Sequence, residues 1–249
     1  EFPDNPVRSG ALGKAALAAG EILLGGLDVL HVHDWQGGPA ALFGHLSRSP
    51  STPLTIVTTI HNLAYRGIFP KSVMAELGLP WTLFAQRGVE FYDQVSFLKG
   101  ALAVSDAITT VSPSYAQEII TPERGEALDG FLRWDVKRLV GIVNGIDVVA
   151  WNPATDPELP AHYSRTRLAG KATCRAALAA EVGLPPLDDT TPLFGVIARM
   201  TGQKGLDLVA EITPQLSSLG ARLVVLGSGE SELESRFEYL ARTFSEHVA

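Results

Sequence analysis

The chain has 249 residues, 46% of them hydrophobic and 19% charged, with a formal net charge of -7 and a single cysteine. So much apolar material excludes a disordered chain and supports one large domain or two modest ones. The acidic balance with scattered basic residues lacks the electrostatic footprint of a nucleic-acid binder, and a lone Cys174 excludes an internal disulfide and argues against a thiolate metal centre.

The first helix is expected over 9–25. Its run "ALGKAALAAGEILLGGL" is interrupted by Lys14 and Glu21, too short between charges to cross a bilayer, and it lacks the ordered parts of a secretory signal, so no membrane partner is expected. Strands follow at 27–32, 54–60, 107–112 and 138–144, with helices at 38–47, 90–104 and 112–120 and a loop-rich stretch at 62–90 holding short helical pieces. Pro, Asn and Asp crowd "VVAWNPATDPELPAHYS" and disfavour regular structure, which marks a connector and a domain boundary. Beyond it come a helical stretch over 165–184, strands at 192–198 and 221–227, and helices at 204–218 and 230–244. Short β-branched runs alternating with helices predict an α/β protein with parallel sheets. The domains are read as 1–150, a connector with a helical segment at 151–190, and 191–249. Two strands are few for a doubly wound sheet, and the chain opens on Glu1 and stops within a helical pattern, so it reads as a fragment of a longer protein.

Polar clusters fall at the C-terminal ends of the predicted strands, the edge where open α/β sheets bind ligands. In "HVHDWQGGPAAL", Asp34 reads equally as a helix cap before a glycine turn or as a site carboxylate. In "TIHNLAYRGIFP", His61 and Asn62 leave a strand, and a histidine there is commonly a hydrogen-bonded structural residue. In "GIVNGIDVVAWNP", Asn144 and Gly145 make a turn or a site. The sharpest is "ARMTGQKGLDL": Arg199 ends a strand, and Lys204 and Gly205 are expected to open a helix whose unpaired amides and dipole attract an anion. A guanidinium fork with a mobile ammonium suits a diphosphate better than a carboxylate, against the bland reading of two solvated cations. The order of a Walker loop is absent. "VLGSGESELE" adds Gly227 and Gly229 before a helix, weak evidence alone.

Taken in order, these segments, together with "FLKGALAVSDAITTVSPSYAQEI" and "KATCRAALAAEVGLP", resemble the bacterial glycogen synthases and plant starch synthases, glycosyltransferase family five. The resemblance runs from Pro6 to near the end. It implies a GT-B fold of two Rossmann-like domains facing a cleft, both incomplete here. It also implies transfer of glucose from ADP-glucose to the non-reducing end of an α-1,4-glucan with retention of configuration. By the same resemblance Arg199 and Lys204 match the pair that holds the diphosphate, and His61 and Asp34 line the pocket of the transferred glucose. Asn144, with Gly145 and Asn62, helps position the sugar, and Gly227 and Gly229 pass near the nucleotide. No metal and no cofactor beyond the donor substrate are expected, the compartment is cytoplasmic (a plastid in a plant), and no oligomeric state is assigned.

The family's Lys-x-Gly-Gly-Leu loop and its late glutamate motif are not found in the chain, and Met200 replaces a common leucine. Activity is therefore expected of the longer parent, with this piece inactive and prone to expose sheet edges. The alternative reading is a non-catalytic nucleotide-sugar or glucan binding module.

Overall fold

The computed structural model describes residues 2–136 and 138–249, which fall into two compact units, Glu1–Gly145 and Ile146–Ala249. The first unit opens with α1 (Asn5–Leu24), entered at a proline in its first turn and closed by Gly25 in the left-handed region at φ 73°, where an L side chain would be strained. Strand β1 (Val29–His33) leads into α2 (Gly38–Ser47) and β2 (Thr55–Ile60). A small insertion follows, with β3 (Ile68–Phe69), α3 (Ser72–Leu77), β4 (Glu90–Phe91) and β5 (Gln94–Ser96). The chain then runs through α4 (Phe97–Val104), β6 (Ala107–Thr110), α5 (Pro113–Glu118), α6 (Asp129–Trp134) and β7 (Leu139–Gly141).

Strands β1, β2, β6 and β7 pair in that order, all parallel. Alternation along β1 buries Leu30 and Val32 and exposes His31 and His33, so one face of this strand feeds the core while the other carries imidazoles. The core joins Leu30, Val32, Ile56, Ile60 and Ile108 of the sheet to Leu42 of α2 and Phe97 and Leu98 of α4. Each such fully buried aliphatic or aromatic side chain contributes about 1.5–3 kcal/mol.

One expected element is wrong in kind. The helix read over 90–104 begins only at Phe97, because residues 90–96 form a hairpin, β4 pairing antiparallel with β5 and β5 with β3. Tyr92 and Asp93 turn this hairpin at φ 48° and 64°, a conformation usually left to Asn-Gly. Ser96 then caps α4, its hydroxyl accepting from the Lys99 amide at 3.2 Å. Lys99 itself is buried, its ammonium donating to the Gln86 carbonyl at 2.7 Å and to that of Glu90, which ties the hairpin to the helix. Burial lowers its pKa, with Glu90 and Asp135 opposing that shift.

The strand β3 and the helix α6 were not expected at all, and further differences lie at the ends of elements. The first helix begins four residues earlier than expected, β1 runs on to His33, and β7 is three residues long instead of seven.

The second unit starts with residues 146–168, which hold neither helix nor a paired strand beyond a single bridge, as their Pro, Asn and Asp content implied. After α7 (Ala169–Glu181) come β8 (Leu193–Ile197), α8 (Leu206–Ser218), β9 (Arg222–Leu226) and α9 (Ser231–Thr243). Strands β8 and β9 are parallel. Residues 247–249 lie along β9, the Leu223 amide donating to the His247 carbonyl at 2.8 Å and the Val225 amide to that of Ala249 at 2.9 Å. A separate core of Met200, Leu206, Leu223, Leu233, Phe237, Leu240 and Val248 holds these layers. Among the described residues no helix is long and apolar enough to cross a membrane.

Candidate active site

In the first unit the site is built where β1 and β2 end. The Asp34 amide donates to the Thr59 carbonyl at 2.9 Å, continuing the ladder one residue past β1. The Asp34 side chain then turns toward β2, and its Oδ1 accepts from the His61 amide at 2.8 Å and the Asn62 amide at 3.4 Å. The capping alternative fails, because Asp34 makes no side-chain cap bond to the turn over 35–37. Its backbone sits at φ 51°, ψ -164°, close to a region that belongs essentially to glycine, and such strain of about 1–3 kcal/mol persists where surrounding bonds impose it.

The loop after β2 has a second support. Tyr115 of α5 accepts the Leu63 amide on its hydroxyl oxygen at 2.9 Å, and burial raises the phenol's pKa, with Asp34 adding a smaller push in the same direction. His61 and Asn62 are thus held between a carboxylate from one strand end and a phenol from a helix. Asn62 also folds back on its own loop, its Oδ1 accepting from the Ala64 amide at 3.1 Å.

His61 is no solitary histidine. Its Nε2 lies 3.0 Å from Nδ1 of His33, and the His33 ring packs at 4.4 Å between centroids from His31. His31 Nε2 meets Thr59 Oγ1 at 2.7 Å, and Thr59 meets Thr109 at 2.7 Å. Burial lowers the His33 pKa below its ordinary value, His31 and His61 lower it further, and Asp34 opposes them. Neither His33 nor Tyr115 is among the expected site residues. The signal for His33 was the His-x-His spacing, which puts both rings on one face of β1. Tyr115 had no local signal. Among the described residues no group of three or more His, Cys, Asp or Glu is placed to hold a metal ion.

Asn144 and Gly145 lie in exposed chain after β7, and the Asn144 side chain has no hydrogen-bond partner among the described residues. A Cβ on Gly145 would meet nothing within 4 Å, so packing does not require glycine there.

In the second unit the basic turn lies at the end of β8. Arg199 and Lys204 are both exposed, and neither has an acidic or hydrogen-bonded side-chain partner among the described residues. The expected helix start is corrected. Lys204 ends a short 3-10 turn over Gly202–Lys204, Gly205 stands in the left-handed region at φ 69°, and α8 begins at Leu206. The amides of Lys204 and Gly205 are already used, donating to Thr201 and Gly202 carbonyls at 3.0 and 2.9 Å. The amides that the helix leaves unpaired are those of Leu206 and the two residues after it, where Asp207 also sits.

The loop after β9 presses against this turn. The Met200 amide donates to the Ser228 carbonyl at 2.9 Å and the Glu230 amide to the Met200 carbonyl at 2.8 Å. A Cβ on Gly227 would run into the Ala198 carbonyl oxygen, and one on Gly229 into that of Met200, so both glycines are required by close backbone approach. The Gly229 amide is occupied, donating to Glu234 Oε1 at 2.7 Å.

Parallel strands that deliver polar loops at their C-terminal ends, in two units of the chain, define an α/β protein with its candidate ligand-binding edges at those strand ends. The family described as the starch synthase catalytic domain matches residues 1–134, more than half of the chain, and the chain belongs to that family. It is 49% identical to a glycogen synthase of Anaeromyxobacter dehalogenans, with all of this chain and 53% of that protein covered. To a glycogen synthase of Roseobacter denitrificans it is 46% identical, over 98% of the chain and 51% of the relative. Among solved structures, the catalytic domain of starch synthase IV from Arabidopsis thaliana bound to ADP and acarbose matches with a TM-score of 0.90 at 34% identity, covering all of this chain and 52% of that one. The chain therefore spans about half the length of the curated relatives it matches.

Proposed function

We propose that this chain contributes to a retaining glucosyltransferase that extends an α-1,4-glucan from ADP-glucose. The observation that carries the proposal is the pair of unpartnered cations, Arg199 and Lys204, at the end of β8 in a member of the starch synthase family. The similar starch synthase IV catalytic domain from Arabidopsis thaliana is bound to ADP and acarbose, and ADP is a nucleoside diphosphate. In the reaction, the glucan hydroxyl attacks the anomeric carbon as its bond to the diphosphate breaks, and the hydroxyl proton passes to the departing phosphate oxygen. Negative charge grows on ADP as that bond lengthens, before the proton arrives. Arg199 offers a planar fork and Lys204 a mobile point charge to that group, and cationic or hydrogen-bonding stabilisation of this kind acts most strongly in the transition state.

The first unit's cluster serves the sugar side. His61 and Asn62 present ring and amide toward the transferred glucose, Asp34 fixes their backbone, and Asn144 with Gly145 lines the sugar. Gly227 and Gly229 keep the loop beside the nucleotide thin.

Glucosyl transfer should be measured in the enzyme expressed from the full reading frame that carries this chain. Lys204→Ala should lower turnover by roughly two to three decades. An unchanged rate would remove Lys204 from the chemistry.

A further inference from the structure

We infer that His33 is a positioning residue that accepts a hydrogen bond from His61 and thereby fixes the ring orientation and tautomer of His61. The catalytic consequence rests on the function proposed above, whereas the hydrogen bond and the tautomer do not.

The geometry begins with strand register. His33 stands opposite Thr59 in the β1–β2 ladder, and His61 follows two residues after Thr59. Both attachment points are pinned, His33 by the ladder and His61 by its amide bond to Asp34. The rings meet with centroids 5.3 Å apart and planes tilted by 36°, and Nδ1 of His33 is 3.0 Å from Nε2 of His61. On its other side His33 is packed by His31, which Thr59 holds. The ring is therefore wedged between two neighbours.

Two neutral imidazoles can bond through nitrogen only if one nitrogen carries the proton and the other does not. The Nε2–H tautomer, which is the favoured form of a free histidine side chain, satisfies this contact in both rings at once: His61 Nε2–H donates and bare His33 Nδ1 accepts. The same tautomer lets His31 Nε2–H donate to Thr59, whose hydroxyl passes the bond on to Thr109. His61 is left with a bare Nδ1, an acceptor for a hydroxyl of the transferred sugar. Among the described residues, the charged and titratable groups around His33 are His31 and Asp34, from its own strand and the loop after it, and His61 from the loop after β2; β6 contributes the Thr109 hydroxyl bonded to Thr59. Burial and the two neighbouring imidazoles disfavour a charged His33, against the opposing pull of Asp34, and so disfavour the doubly protonated ring whose Nδ1 could not accept.

The test has two arms. In the full-length enzyme, 15N spectra of the histidine rings should show both His33 and His61 as Nε2–H tautomers, with a scalar coupling between His33 Nδ1 and His61 Nε2. In the full-length enzyme, His33→Leu should lower kcat about five- to tenfold with donor KM changed by no more than about twofold. His33→Asn, which keeps a hydrogen-bonding atom near the Nδ1 position, should recover most of that loss. Absence of the coupling, or a His61 whose tautomer and titration are the same in His33→Leu, overturns the inference. So does an unchanged kcat in His33→Leu. A wild-type enzyme without glucosyl transfer would refute the function instead, and the coupling would still decide the role of His33.

Discussion

The strand-end loops of the first unit and the basic turn of the second are made from similar parts and behave differently. Around His61 the polar groups satisfy one another: Asp34 takes two amides, Tyr115 a third, and His33 the ring. At the end of β8 the backbone is equally fixed, through Met200 and the glycines of the next loop, yet the two cations have no partner among the described residues. The difference separates two ways of building a site. One holds side chains in place before a ligand arrives. The other leaves charge uncompensated for a ligand to neutralise.

The largest effect after the loss of turnover in Lys204→Ala concerns the rigid frame under the cations. Gly227→Ala drives a methyl into the Ala198 carbonyl and should destabilise the second unit by about 1–3 kcal/mol in chemical denaturation, whereas Gly202→Ala, with open space around it, should be close to neutral. Equal effects would mean that the contact between the two loops is not rigid.

In the first unit, Asp34 carries both strain and bonds. Asp34→Gly and Asp34→Ala both free the His61 amide and should both impair transfer, but glycine accepts φ 51° without strain. The glycine variant should be the more stable of the two by about 1–2 kcal/mol. Identical stabilities would show that the backbone relaxes once the carboxylate is gone.

The smallest effect is a pH dependence. The folded-state pKa of His33 lies below its ordinary 6.5, so the unfolded chain binds more protons in the window just under that value. Stability should be full above pH 6.5 and fall as pH drops through the folded pKa, and His33→Asn should flatten that part of the profile in thermal denaturation. The effect is small because the ring is largely exposed.

The parallel architecture was legible because apolar, β-branched runs such as "TIVTTI" and "RLVVL" stand out against their helical neighbours. The lack of regular structure over 148–164 was legible from its prolines, asparagine and acidic residues. The hairpin at 90–96 was hidden, because its turn is Tyr-Asp instead of Asn-Gly and its strands are two and three residues long. At the site, strand-end placement pointed to Asp34, His61 and Asn62, but the bonds among them cross between strands and cannot be seen along one. Tyr115 is the clearest case, 52 residues from the amide it holds. The start of α8 was misplaced because a Lys-Gly pair reads as a helix opening unless Gly205 is known to be left-handed.

The most direct test of the division between the two regions is a calorimetric titration of the full-length enzyme with ADP. Replacing both Arg199 and Lys204 by alanine should raise the dissociation constant by about ten- to a hundredfold, while Asp34→Ala leaves it within about twofold of wild type. Undiminished ADP affinity in the double variant would contradict the assignment of the diphosphate to this turn.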